Sequence, residues 1–260
     1  MRPEMIASLP IWLAGVLIAG VAVLGAALVE IVARRTIPLE MRQRHATVAA
    51  AMFNVIGTTY AVLLAFVAML AWDGFNKAQA ITDTEASLVQ SAYQLIGGLG
   101  GPEMASMRQD IVAYARDVVG REWPAQARGE PVGEDEPNLA HLTQTALQLR
   151  PGTIAEGDLH RLLLGQITQL GSTRRERVFD ARSSIPLILW FVLVAGGGIS
   201  VAFGSFLGAP DLRMHLAMSS MLALSGALVL LAVVALSNPF RGDLRISPEP
   251  FERALAHMGR

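Results

Sequence analysis

The sequence predicts an all-α membrane protein with four transmembrane helices and a water-facing helical bundle between the second and the third. Hydrophobic residues make up 52% of the 260 residues, and charged residues only 17%. The apolar residues are concentrated in four long blocks. Between the second and third blocks the composition is that of an ordinary water-soluble protein, with helical rather than strand-like spacing.

Each of the four blocks is long enough to span a bilayer. A helix needs about 20 apolar residues to cross a hydrocarbon core about 30 Å thick. The segments that meet this requirement are Ile11 to Ala33, Thr47 to Trp72, Ile185 to Gly208 and Met214 to Ser237. Glu30 is the one Asp, Glu, Lys or Arg residue within them. The first block is too long for a signal-peptide core and has no clear cleavage site, so we expect it to be retained.

The blocks divide the chain into four parts. We expect a first transmembrane pair at 1–72, a helical soluble domain at 73–183, a second pair at 184–237 and a C-terminal tail at 238–260. Both termini and the soluble domain then lie on one side of the membrane. Both sides carry arginines, but this side carries more of them, which favours a cytoplasmic location in a protein of the cell inner membrane.

Apolar spacing predicts four helices within the soluble domain and no strand. The first helix should continue from the second span, because no glycine or proline separates Gly74 from Gly97. The fourth should begin near Glu156 and run straight into the third span, because no proline lies between Glu156 and Pro186.

One face of the second span carries small and weakly polar residues at helical spacing. Its pore-lining candidates are Asn54, Thr58, Ala61, Ala65 and Ala68. In a ring of subunits, this face could line a pore where the amide and hydroxyl replace part of an ion's hydration. Alternatively, small residues let helices approach closely, and polar ones hydrogen-bond across the contact. Both interpretations stay open at this point.

Two carboxylates lie on otherwise apolar helix faces. Glu85 falls on the apolar stripe of the soluble domain, where a buried charge needs a partner. We expect Arg116 or Arg121 of the next helix to provide it, as a structural ion pair rather than a sensor site. Glu30 has Arg34 four residues later, which favours an interfacial ion pair over a carboxylate that faces ions.

Motifs for catalysis and for metal or cofactor binding are absent from the sequence. There is no cysteine, and the five histidines do not have metal-ligand spacing. We find no glycine-rich phosphate loop, nucleophile elbow or HExxH motif. The net charge of −1 gives no indication of nucleic-acid binding. We therefore expect no catalytic residue, metal, cofactor or nucleic-acid partner, and the protein is not expected to be an enzyme.

A set of motifs in a fixed order resembles a bestrophin-like family of bacterial membrane proteins. They are Tyr60-Ala-Val-Leu-Leu-Ala-Phe66, Glu85-Ala-Ser, Tyr114, Glu122-Trp-Pro124, Arg174-Arg-Glu-Arg177 and Asn238-Pro-Phe-Arg-Gly242. The resemblance covers nearly the whole chain from the second span onward. It implies the layout of bestrophins, which are oligomeric anion channels with a cytosolic helical domain between the second and third spans. The acidic calcium clasp of animal bestrophins is not obvious here, so calcium gating is not implied.

The leading functional hypothesis is an oligomeric ion channel that conducts anions through a pore lined by the second span. Its partners would be the lipid bilayer, further copies of the chain and inorganic ions. The alternative is a non-conducting membrane sensor or scaffold whose helical domain binds a protein partner. A transporter ranks behind both, because the two halves show no convincing internal repeat.

Overall fold

The computed structural model describes residues 10–133, 135–180 and 185–259, and this part of the chain is helical with no strand. The helices are α1 (Ile11–Thr36), α2 (Leu39–Arg44), α3 (Ala46–Gly98), α4 (Glu103–Asp117), α5 (Trp123–Arg128), α6 (Pro137–Gln148), α7 (Ile154–Asp180), α8 (Leu187–Ser205), α9 (Leu212–Leu236) and α10 (Glu249–Met258). A π-helical turn, Val118–Glu122, joins α4 to α5.

Four of these helices, α1, α3, α8 and α9, are long and apolar enough to cross a membrane. The predicted all-α fold with four spans is therefore confirmed. The 53-residue helix α3 is unbroken from the second span into the soluble domain, as the lack of a breaker predicted.

The predicted continuity of the fourth soluble helix with the third span is wrong. Helix α7 ends at Asp180, and α8 begins at Leu187 after Pro186, whose ψ of 140° is not helical. Proline has no N–H to continue a helix, and it disfavours helical geometry in the residue before it. Residues 181–184 lie outside the described part of the chain.

The described residues pack into two compact units. The membrane unit lies within Met1–Gly74 and Ser184–Asn238, and the bundle unit within Phe75–Ser183 and Pro239–Arg260. The C-terminal tail was predicted to be a separate segment. In the structure it contributes buried Phe251 to the bundle core. Trp123 supports this packing by donating from Nε1 to a carbonyl of the tail, that of Ile246, at 3.1 Å.

In the membrane unit, one side of α3 packs on α8 and α9. Its contact residues are Leu64, Val67 and Ala71, which meet Leu193 and Val233. One turn away, the ring of Tyr60 lies against two glycines of α8. A Cβ added at Gly196 would lie 2.7 Å from Cδ2 of Tyr60, and one at Gly197 would lie 2.9 Å from its hydroxyl. These glycines therefore permit close approach of the two helices.

In the bundle unit, α3 contributes a buried stripe that packs against α4, α6, α7 and α10. The stripe comprises Ala78, Val89, Ala92 and Ile96, and its neighbours include Ile111, Leu142, Leu163 and Phe251. Burying these apolar side chains supplies the main force that holds the bundle together.

Candidate functional site

Most of the candidate pore-lining face of α3 is left uncovered by the helices of its own chain. Asn54, Thr58, Ala61 and Ala65 are exposed, and Ala68 is half-buried. Because α3 turns 100° per residue, this face lies about 110° around the helix from the side that packs on α8 and α9, and Ala68 at its edge packs partly against that side. The predicted role of these five residues in a pore stays a prediction. The structure adds that contacts within the chain do not account for the four exposed residues of this face.

The exposed face offers neutral hydrogen-bonding groups and no charge. No Asp, Glu, Lys or Arg lies between Ala46 and Trp72. Since the amide of Asn54 is exposed, it remains available to a ligand or to a neighbouring molecule.

A second polar cluster lies where α1 and α9 meet. Glu30 is fully buried, and its Oε1 accepts from Nε of Arg34 at 2.8 Å and from Nη1 of Arg42 at 3.4 Å. Nδ1 of His215 lies 3.1 Å from the same oxygen. The predicted pair between Glu30 and Arg34 is confirmed. Arg42 and His215 were missed, because neither has a fixed sequence spacing from Glu30.

All three cationic or titratable partners of Glu30 also contact carbonyls near the end of α8. Arg42 donates from Nη1 to the carbonyl of Ser205 at 2.9 Å, and Arg34 from Nη2 to that of Ala209 at 2.9 Å. His215 approaches the carbonyl of Gly204 with Nε2 at 3.2 Å. Carbonyls at the C-terminus of a helix lack intrahelical donors and carry partial negative charge, so they attract cations. We call this set of contacts the loop junction.

In the bundle unit, Glu85 pairs with an arginine that was not expected. Arg177 of α7 donates from Nε to Oε2 at 2.7 Å and from Nη2 to Oε1 at 3.0 Å. The expected partners are wrong: Arg116 and Arg121 are both exposed, and Arg121 pairs with Asp117 on its own helix. The α3 side of α4 instead holds Tyr114, whose hydroxyl donates to Glu85 at 2.5 Å.

Arg177 links Glu85 to a second buried carboxylate. Its Nη2 donates to Oε2 of Glu122 at 2.6 Å and its Nη1 to Oε1 of Gln126 at 2.9 Å, while Arg174 donates to Oε1 of Glu122 at 2.6 Å. The π-helical turn shifts the register of the chain and places Glu122 here. Two arginines thus neutralise two buried carboxylates. We call these four charged residues the buried ion-pair network.

Burial and charge alter the acid–base behaviour of this network. Burial raises the pKa of Tyr114 well above its usual value of 10.0, and the negative charge of Glu85 raises it further. Burial alone lowers the pKa of Arg177, but its charge attraction and hydrogen bonds to Glu85 outweigh this, so its pKa is raised. Arg177 is therefore a permanent cation, and Tyr114 a neutral donor across the physiological range.

An open cleft of about 450 Å³ lies at one end of the bundle unit. Its lining includes Leu99, Glu103, Leu149, Arg150, Glu156 and His160. A carboxylate oxygen of Glu156 accepts from the backbone N–H of Gly152 at 2.8 Å, so this side chain caps the start of α7. Within the described ranges, no three His, Asp or Glu side chains are grouped as metal ligands would be.

Comparisons with known proteins agree with this architecture. A family model described as a Bestrophin-like domain matches residues 20–251. A single-substitution variant of a bacterial bestrophin homologue from Klebsiella pneumoniae matches with a TM-score of 0.68 at 14% identity, covering 93% of this chain and 99% of that chain. Another crystal structure of a Klebsiella pneumoniae homologue, phased with zinc, matches with a TM-score of 0.63 at 15% identity, covering 91% and 97%. None of the curated proteins matches.

Proposed function

The chain belongs to the bestrophin-like family, and from that premise we propose that it assembles with copies of itself into an ion channel whose pore is lined by α3. The observation that carries this proposal is the exposed, uncharged stripe on α3. Lipid-facing helices present bulky apolar side chains, and α3 does so at Phe66 and Met69. The stripe from Asn54 to Ala65 is small and weakly polar instead, which suits a water-filled path.

The proposed permeant ions are anions. The amide of Asn54 and the hydroxyl of Thr58 can each donate a hydrogen bond to an anion, and the span carries no carboxylate to repel one. Three exposed arginines at the loop end of the membrane unit, Arg35, Arg44 and Arg213, would raise the local anion concentration.

We propose that the protein lies in the cell inner membrane, with the soluble domain and both termini in the cytoplasm. The larger number of basic residues near the span ends on that side supports it. Alkaline phosphatase fused to the C-terminus should be inactive, because the enzyme folds only in the periplasm. An active fusion would reverse the orientation and leave the four spans unchanged.

Ion flux from liposomes tests the channel directly. The purified full-length protein would be reconstituted, and its flux measured under chloride, nitrate and potassium gradients beside a light-scattering measurement of oligomer mass. We expect a multimer that passes chloride and nitrate faster than potassium. A stable monomer, or an intact multimer that passes none of the three ions, contradicts the proposal.

A non-conducting scaffold that binds a protein partner is the second candidate. Large exposed apolar side chains on the bundle unit favour it, in particular Ile154, which is 88% exposed, and Leu147, which is 67% exposed. The flux measurement distinguishes the two functions. A channel passes ions, whereas a scaffold requires no axial opening and should pass none.

A further inference from the structure

A second pocket of the bundle unit, of about 210 Å³, lies beside the end of α5. Three segments that are far apart in the sequence form its wall: residues 126–132, Val178 of α7 and Arg241 of the tail. Val178 directly follows the arginine-rich motif at 174–177, and Arg241 belongs to the motif at 238–242. The pore proposed above and the buried ion-pair network give Arg241 no role.

The packing of the tail holds Arg241 at this pocket. The preceding residue, Phe240, is 2% exposed, and its ring packs edge-on against that of Trp123 with 5.4 Å between the ring centres. Trp123 begins α5, and Gly129 follows the end of this helix with a φ of +74°. A Cβ added at Gly129 would overlap the guanidinium of Arg241, so the glycine lets this side chain lie against the backbone.

The charge of Arg241 is not neutralised within the bundle unit. The side chain is half-buried, and among the described residues it forms no ion pair and donates no hydrogen bond. The carboxylate in the pocket wall, that of Glu130, already accepts from Nε and Nη2 of Arg128 at 2.7 and 2.8 Å. All the N–H groups of the Arg241 guanidinium are therefore available to an acceptor from outside the chain.

A second donor in the wall also has no partner. Gln126 is 4% exposed, and its Oε1 accepts from Nη1 of Arg177 at 2.9 Å. This bond fixes the orientation of the amide, because the reverse orientation would set two donors against each other. Within the part of the chain that the structure describes, Nε2 of Gln126 then has no acceptor. A buried donor without an acceptor is costly, so an acceptor that entered at this wall would stabilise the bundle unit.

We propose that this pocket binds a small soluble molecule through its oxyanion group, a carboxylate or a phosphate, between the guanidinium of Arg241 and the amide of Gln126. A planar guanidinium presents two parallel N–H groups that match two oxygens of either anion, and the amide adds a donor from the wall. The volume is below the roughly 300–1,000 Å³ of pockets for drug-sized ligands, which favours a small molecule. The proposal does not depend on whether the protein conducts ions.

Calorimetric titration of the full-length protein in detergent tests the site. Inorganic phosphate, succinate and chloride would each be titrated at the same ionic strength, so that screening of surface charges is equal. We expect one saturable site per chain for phosphate or succinate, about tenfold tighter than for chloride, because a spherical ion cannot match the arginine fork at two points. The tighter of the two oxyanions identifies the group that the pocket prefers. Absence of saturable binding of both at millimolar concentrations, or equal affinity for chloride, overturns the proposal.

Arg241→Gln assigns the binding to this pocket. It should weaken the affinity for the tighter probe by about tenfold or more, the loss expected when a charge-assisted hydrogen bond is removed. Arg245→Gln is the matched control, because Arg245 is an exposed arginine of the same tail that does not line the pocket. Its affinity should stay that of the unaltered protein. Equal weakening in both variants, or undiminished binding in Arg241→Gln, contradicts the assignment.

Gln126→Glu tests the opposite wall and decides the matter if Arg241→Gln fails to fold. The new carboxylate can still accept from Arg177, but it offers no amide donor and repels an anion, so binding should be lost. A folded Gln126→Glu variant that binds the probe as tightly as the unaltered protein shows that the anion lies elsewhere.

Discussion

Arg177 and Glu85 form a two-point ion pair across the bundle unit, although 92 residues separate them in the sequence. Both side chains are fully buried, and the pair joins α7 to α3. An arginine fork with a carboxylate gives fixed geometry as well as charge compensation. The same guanidinium lies over the ring of Trp123, 5.4 Å from its centre, so one side chain sets the relative placement of three segments.

Removing the charge of Arg177 should destabilise the protein strongly. Arg177→Met keeps most of the side-chain volume but leaves Glu85 and Glu122 buried with one arginine fewer. We expect a loss of about 3–5 kcal/mol in the free energy of unfolding, because an uncompensated buried charge remains. The measurement is denaturant unfolding of the full-length protein in detergent, followed by tryptophan fluorescence.

Arg121→Ala is the matched control for this variant, because Arg121 is an exposed arginine paired within its own helix. It should change the unfolding free energy by less than about 1 kcal/mol. Adding Glu85→Gln to Arg177→Met should recover part of the loss, since one of the uncompensated charges is then gone. Equal effects of the two arginine variants would show that the buried pair contributes no more than a surface pair.

Tyr114 should make the protein less stable at alkaline pH. Its pKa in the folded state is raised well above 10.0 by burial and by Glu85, whereas an unfolded tyrosine ionises near 10. A group with a raised folded pKa contributes stability that is complete below the unfolded pKa and is lost as the pH rises above it. The thermal midpoint should therefore fall between pH 9.5 and about 11 in part because of this residue.

Tyr114→Phe isolates that contribution. At neutral pH it should cost about 1.5–3 kcal/mol, because the hydrogen bond to the Glu85 carboxylate is lost. Its thermal midpoint should decline less steeply than that of the unaltered protein above pH 9.5. Parallel pH profiles for the two proteins would mean that Tyr114 ionises as readily in the folded state as in the unfolded one.

The spans could be predicted from the sequence because a bilayer imposes a length and a composition on each helix separately. The continuity of α3 followed in the same way, from the absence of local breakers between Gly74 and Gly97. The break before α8 was missed although Pro186 was visible. The predicted helix was expected to continue into the span, whereas Pro186 occupies the N-cap position of α8.

Partners of buried charges could not be predicted in the same way, because they depend on the packing of distant helices. Glu85 was recognised as needing a cation, but helical spacing does not tell which arginine faces it. The π-helical turn after α4 adds to this difficulty, because it changes the helical spacing from which Arg121 was expected to face Glu85. Arg121 pairs with Asp117 instead. Arg177 lies in a run of four charged residues, and such a run is typical of a solvent-exposed helix face, so nothing in the sequence indicated that Arg177 is buried. His215 likewise has no sequence relation to Glu30.

Gly208 should be required for the packing between the loop after α8 and helix α2. Its φ is +67°, which residues with a Cβ rarely adopt, and an added Cβ would lie 3.0 Å from the backbone N of Gln43 and 3.1 Å from the carbonyl carbon of Arg42. Gly208→Ala should therefore destabilise the membrane unit by about 1–3 kcal/mol. The control is Gly226→Ala in α9, where an added Cβ meets no atom within 4 Å. Thermal unfolding in detergent should separate the two, and equal midpoints would show that the loop relaxes freely.

The small stripe of α3 should control flux if it lines a pore. Ala65→Trp replaces a methyl group by a ring system on the exposed stripe, which should block most chloride flux in liposomes while the oligomer stays intact. Asn54→Leu removes an exposed amide that can contact the permeant ion, so it should change the ratio of chloride to nitrate flux. If the stripe instead packs against another helix, a tryptophan cannot fit there, and assembly itself should fail.

Phe66→Trp is the matched control for the blocking variant, because Phe66 lies at the same depth but about 100° around the helix. It is 63% exposed and already aromatic, so a lipid-facing tryptophan should be tolerated with little change in flux. Oligomer mass, measured on each sample used for flux, distinguishes the two interpretations of the stripe. Blocked flux in an intact oligomer of Ala65→Trp, with normal flux in Phe66→Trp, supports a pore. Loss of the oligomer in Ala65→Trp alone identifies the stripe as a helix contact, and unchanged flux in both variants means that ions take another path.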